Sequence, residues 1–280
     1  MHARLLGLLV LAALLLASGM QERYDSTVNY FGERNAFVSL PSGKTLKALS
    51  FGYHNLAADL LFIWSIQFYS SYNLTNRFDF LERVYDAITD ISPQYKDPYI
   101  IGALIMAHEA KDVPMALRLL DKGSRRNPRE WIFDHEAGYY CYKYLKDYAK
   151  AEEYYGRAAA NPDAPVFIRR MKAHLVYLRD DPRVAYQMWL DIYRNAEDIL
   201  TRDSARNHLY QIKAEIDLPQ LQAKVMAFRV KFRRLPASLA EIAAAGLVRE
   251  IPRDFSGNEY IYDAQSGKVT AQRIFRWKKR

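Results

Sequence analysis

The sequence predicts a mostly α fold, an α-solenoid of helix-turn-helix repeats closed by a small C-terminal α+β cap. Three observations predict it. Eleven prolines and twelve glycines in 280 residues are few for a β-rich chain, and half of the residues are apolar, enough to bury a core. A frame of spaced core positions recurs about every 35 residues. Beyond residue 235 the helical pattern gives way to turns and two short strand-like runs.

The elements follow in chain order. Residues 1–20, MHARLLGLLVLAALLLASGM, carry Arg4 and then an apolar run from Leu5 to Ala17. That run is shorter than the roughly 20 residues a spanning helix needs. It fits a signal-peptide core, and Ala17-Ser18-Gly19 supplies small residues for cleavage. A cleaved signal peptide and a retained membrane anchor both remain open, whereas the lack of a following cysteine excludes a lipoprotein anchor. Either way the chain is expected to be exported, periplasmic or anchored to the inner membrane with its repeats outside the cytoplasm. Residues 21–49, polar and aromatic with a turn at LPSGK, are expected to be a linker packing on the first repeat.

Residues 50–200 hold the repeat. Leu81, Tyr85, Ile88 and Pro93 set a frame that Ala116, Leu120, Gly123 and Pro128 repeat. Ala151, Tyr155, Ala158 and Pro162 repeat it again, and Ala185, Trp189 and Ile192 continue it. The lead positions lie 35, 35 and 34 residues apart. A small residue opens a second helix where the first approaches, bulky residues one and two turns on fill the shared core, and proline ends the unit. Each frame follows a candidate first helix, with Trp131, Gly138 and Ala173 at the expected aromatic and small positions. The first frame departs, having Leu81 for the small residue and a polar loop, NLTNRFD, before it.

Over these residues the chain resembles the tetratricopeptide repeat (TPR) family, with about four units. LPSGKTLKALSFGYHNLAADLLFIWSIQFY and FLERVYDAITDISPQY are also similar to a group of bacterial envelope proteins carrying this repeat. The resemblance implies a right-handed solenoid whose first helices line a groove for a partner segment. Its register implies groove positions at Ile105, His108 and Glu109, at His135, Tyr139, Tyr142 and Lys143, and at Arg170, His174 and Tyr177. This aromatic and basic set suits an extended peptide or acidic protein segment. Packing between repeats is the alternative role for any one of these tyrosines.

Residues 201–234 read as two further helices, RDSARNHLYQIKAEID and LPQLQAKVMAFRVKFRR. Residues 235–272 then read as a short helix from Pro236 and Ser238 to near Gly246, and a strand pair, NEYIYD and KVTAQ. This order is similar to the C-terminal part of the pilin-like subunits of type II secretion. It brings no pilus function, since the long methylated N-terminal helix of pilins is missing. The tail 273–280, RIFRWKKR, holds Arg273, Arg276, Lys278, Lys279 and Arg280, which could meet anionic lipid or cell-wall polymer or simply be a solvated terminus.

The titratable residues argue against an enzyme. The six histidines do not cluster, and neither His108-Glu109 nor His135-Glu136 is followed by a second histidine at zinc-protease spacing. Phosphate-cradling glycine loops and nucleophile elbows are missing, so no metal, cofactor or small-molecule substrate is expected. Asp59, inside the apolar run LAADLLFIWSI, requires a hydrogen-bonding partner, and with His54 and Gln67 it breaks that run too often for a membrane span. Cys141 is the only cysteine and reads as a structural thiol. The formal charge of +8 is concentrated in the tail rather than in a dense stripe, which disfavours nucleic acid. The expected function is a non-enzymatic protein–protein interaction scaffold in an envelope, pilus or secretion assembly; the alternative is a module binding the envelope surface through its tail.

Overall fold

The computed structural model describes residue 19 and residues 40–70, 77–179 and 181–272. Among them are eleven helices and one two-stranded sheet, so the chain is mostly helical. The expected signal or anchor, the linker as far as residue 39 and the basic tail lie outside the described residues. No helix among the described residues is long and apolar enough to cross a membrane. The chain divides into two compact units at Pro128 and Arg129.

The first unit contains α1 (Gly43–Leu49), α2 (His54–Tyr69), α3 (Leu81–Ile91), α4 (Lys96–Leu104) and α5 (Val113–Arg126). The LPSGK turn starts a helix: the Ser42 side chain accepts from the Thr45 amide at 3.2 Å. Only the end of the expected linker over 21–49 is described, and part of it is helical. Residues 43–49 are helical and pack on α3, so closely that a Cβ on Gly43 would lie 2.6 Å from the Ala87 carbonyl oxygen. Further in, the Tyr69 and Tyr85 rings stack 6.0 Å apart and Phe62 meets Tyr85 edge-on at 6.4 Å.

The second unit contains α6 (Ile132–Tyr140), α7 (Tyr148–Ala159), α8 (Val166–Leu178), α9 (Pro182–Arg194), α10 (Ile199–Phe232) and α11 (Leu239–Ala244), then β1 (Ile261–Asp263) and β2 (Lys268–Thr270). Successive helices from α6 to α10 pack on one another across short connections, as antiparallel hairpins do.

The frames read from the sequence fall on α3, α5, α7 and α9, and all their small and bulky residues, from Leu81 to Ile192, are buried. The bulky frame residues Tyr85 and Tyr155 require glycine opposite them, Gly102 of α4 and Gly138 of α6. A Cβ at these positions would lie 2.5 Å from Tyr85 and 2.7 Å from Tyr155. A second periodicity lies in the turns. Asp112, Asp147 and Asp181 each accept from the amide three residues on, at 2.9, 2.9 and 3.2 Å, and cap α5, α7 and α9. Both α4 and α6 end in a π-helical turn, Ile105–Glu109 and Cys141–Leu145, and the lysines before the first two caps, Lys111 and Lys146, take left-handed φ values of 61° and 56°.

The pair of helices expected over 201–234 is one helix, α10, running through Pro219. Proline removes one i→i−4 hydrogen bond there, but the helix gains packing on both sides of the break. Ala205, Leu209 and Ile212 join the core around Trp189, and Leu221, Val225 and Phe228 join a separate core with Leu239, Ile242, Tyr260 and Val269. That second core is the cap, with β1 and β2 antiparallel and Tyr262 opposite Val269.

Candidate functional site

The expected groove residues divide between the two units. His108 and Glu109 belong to the first, where His108 is exposed and Glu109 pairs with Arg77 at 3.1 Å. Ile105 is buried and so cannot face a ligand. The other seven lie on α6, its π turn and α8 in the second unit.

In the second unit the first helices of successive hairpins meet side by side. His135 of α6 lies 5.2 Å from the Phe167 ring of α8, and Tyr142 lies 6.4 Å from His174. Across the next seam His174 lies 6.1 Å from His208 of α10. Tyr177, placed in the groove by the resemblance, is only 3% exposed. Its hydroxyl donates to the Glu215 carboxylate at 2.7 Å and accepts from Gln211 at 2.9 Å, so it fastens α8 to α10 instead.

What remains accessible is compact. Tyr139, Tyr142, Arg170 and His174 are half-buried and Lys143 is exposed. The Lys143 ammonium sits 5.5 Å over the Tyr139 ring, whose hydroxyl also raises the lysine pKa through a hydrogen bond. Burial alone pushes His135 and His174 down. His208, stacked 3.8 Å from Trp189, is pushed down to about 3, mainly by burial and then by His174 and Arg170. Neighbouring Glu136 is pushed up, again chiefly by burial. The imidazoles are therefore neutral near pH 7, and Lys143 and Arg170 are the basic side chains of the set. Such a surface offers aromatic area, uncharged hydrogen-bonding groups and two permanent cations.

His208 and Trp189 complete this face from behind. Trp189 could be read only as a frame residue, and nothing in the spacing of His208 marks it; it is found through the neighbours that α8 and α9 bring to it. Among the described residues no group of three His, Cys, Asp or Glu could hold a metal ion. Cys141 is buried and unbridged.

Depressions among the described residues of the first unit include a larger and a smaller one. The larger, of about 580 Å³, is lined by Ser42, Gly43, Glu82, Asp86 and Asp90, whose carboxylates pair with Arg118 and Lys122. The smaller, of about 300 Å³, contains Asp59 beside Tyr95, Asn55 and Ser92. Burial first, and then Asp59, pushes the Tyr95 pKa up. No family model matches the chain, and no curated protein matches it in sequence.

Proposed function

We propose that this chain is a non-enzymatic protein–protein interaction scaffold of the cell envelope. Its hairpins form a right-handed TPR-like solenoid, and the first-helix face of the second unit holds an extended, acidic partner segment. The supporting observation is the row in which α6 reaches α8 through Tyr142 and His174, and α8 reaches α10 through His174 and His208. Tyrosines contribute large contact area with few rotors to immobilise. Lys143 and Arg170 meet carboxylates on the segment, and the neutral histidines give hydrogen bonds without demanding further charge.

The test is a photo-crosslinking residue at Tyr139 or Lys143, with one at Lys150 on α7 as control, followed by recovery of adducts from isolated envelopes. A discrete adduct from 139 and 143, absent at 150 and lost in Lys143→Glu with Arg170→Glu, is the expected result. Equal labelling at all three sites would overturn the groove.

A further inference from the structure

α2 is apolar on two opposite faces. Ala58, Phe62, Ser65 and Tyr69, spaced four, three and four apart, are buried. Half a turn round, Leu56, Leu60 and Ile63 are 56, 61 and 53% exposed, with Trp64 at their edge. Immediately upstream Phe51 is 86% exposed in a corner where Phe51 and Gly52 both have left-handed backbone, φ 47° and 93°. A phenylalanine held at positive φ is strained, and this strain is spent on turning a large apolar ring into solvent.

The charge pattern narrows what can cover this face. Between Ala48 and Asn76 the only acidic or basic residue other than His54 is Asp59, and its contact with Tyr95 is on the flank of the helix. A protein partner would ordinarily be met by a polar rim. Here the exposed Tyr53 and Trp64 border the apolar face, residue types that sit at headgroup level in a bilayer. At 16 residues α2 is about 24 Å long, too short to span, and its other face is committed to the core. In sequence, 22 residues separate the apolar run Leu5–Ala17 from Leu40. With that run in a membrane, α1 and α2 are tethered to the same membrane.

We infer that the Leu56–Leu60–Ile63 face of α2 and the Phe51 corner lie in the interfacial layer of a phospholipid bilayer, parallel to its plane. The inference rests on reading the chain as an envelope protein, and it differs from binding through the basic tail.

The test uses the full chain mixed with vesicles of phosphatidylcholine and phosphatidylglycerol, some bearing bromine on the acyl chains near the headgroup. Flotation reads association, and the difference between wild type and Trp64→Phe reads quenching at Trp64. Wild type should float with Trp64 quenched. Leu60→Glu with Ile63→Glu should lose the Trp64 quenching while keeping its helical circular dichroism. If that variant misfolds, Phe51→Asn, which relieves the backbone strain, should fold at least as well and show weaker quenching. A chain that floats with Trp64 unquenched, or that stays out of the vesicle fraction, overturns this inference and spares the envelope reading, which the crosslinking at Tyr139 and Lys143 decides. A dimer in ultracentrifugation that Leu60→Glu with Ile63→Glu dissociates, without quenching, assigns the face to a second copy and also overturns it.

Discussion

His208 lies flat on Trp189, ring centroids 3.8 Å apart and planes 14° from parallel. The stack ties α9 to α10, and His174 brings α8 to the same imidazole. Such an arrangement favours a neutral ring: protonation would place a cation in a buried site already facing Arg170.

Stability should therefore fall in acid. The unfolded ring titrates near 6.5 and the folded one near 3. Between those values the unfolded chain binds a proton that the native chain does not, so lowering the pH favours unfolding by at most about 1.4 kcal/mol per pH unit. From pH 7 to 5 His208 should account for a loss of roughly 2 kcal/mol. Urea unfolding of wild type and His208→Gln at both pH values measures this. The variant should show a flatter dependence, with a residue of the same sign from His135 and His174, which burial also pushes down. An unchanged slope would mean that the ring is not held neutral.

Two glycines should respond to alanine in opposite directions. At Gly102 a Cβ would lie 2.5 Å from the buried Tyr85 ring and 2.8 Å from Leu119. Overpacking of this kind outweighs the gain in helix propensity, so Gly102→Ala should lose about 1–3 kcal/mol. At Gly156 the new methyl would meet only the end of Lys172, at 3.7 Å. There the propensity gain stands alone, and Gly156→Ala should add about 0.5–1 kcal/mol. Denaturant midpoints at unchanged m-value decide both.

Core spacing on α3, α5, α7 and α9 was legible in the sequence because close packing dictates side-chain size at fixed intervals. The capping aspartates Asp112, Asp147 and Asp181 repeat just as regularly, yet a single Asp is common in any loop and carries weight only once the amide it caps is known. α1 escaped because seven residues are too few to display a period. Pro219 was overread: a local breaker lost to packing on both sides of it. Tyr177 could not be assigned at all from its own surroundings, since a tyrosine serves a groove or a core equally well. Its place is decided by Gln211 and Glu215, more than thirty residues downstream.

The caps make a separable prediction. The exposed Asp147 side chain accepts from the Lys150 amide at 2.9 Å. Asp147→Ala should lose about 1 kcal/mol, while Asp147→Asn, which keeps the acceptor, should stay within a few tenths. Equal losses would point to the charge rather than the hydrogen bond, since a carboxylate also favours a helix N-terminus electrostatically.

The cap is held to α10 by a buried carboxylate. Asp217 accepts from the Tyr260 hydroxyl at 2.7 Å and from the Lys213 ammonium at 2.8 Å. Burial first, and then Asp217 itself, pushes the Tyr260 pKa well up, so the hydroxyl stays protonated and remains a donor. Tyr260→Phe removes that donor but leaves Lys213 on the carboxylate, so the loss should be about 1–2 kcal/mol rather than that of an unpaired buried charge. Nearby, the Val269 amide donates to the Gln222 side chain at 3.1 Å and reports whether β2 is docked. In Tyr260→Phe hydrogen exchange at Val269 should accelerate by roughly 5- to 30-fold, the same free energy expressed as an opening equilibrium. The Trp189 core is built from different residues of α10, so amides around Leu209 should keep their protection. Equal acceleration at both places would mean that cap and helices open as one cooperative unit, and unchanged exchange at Val269 would mean that the Asp217 contact does not hold the cap.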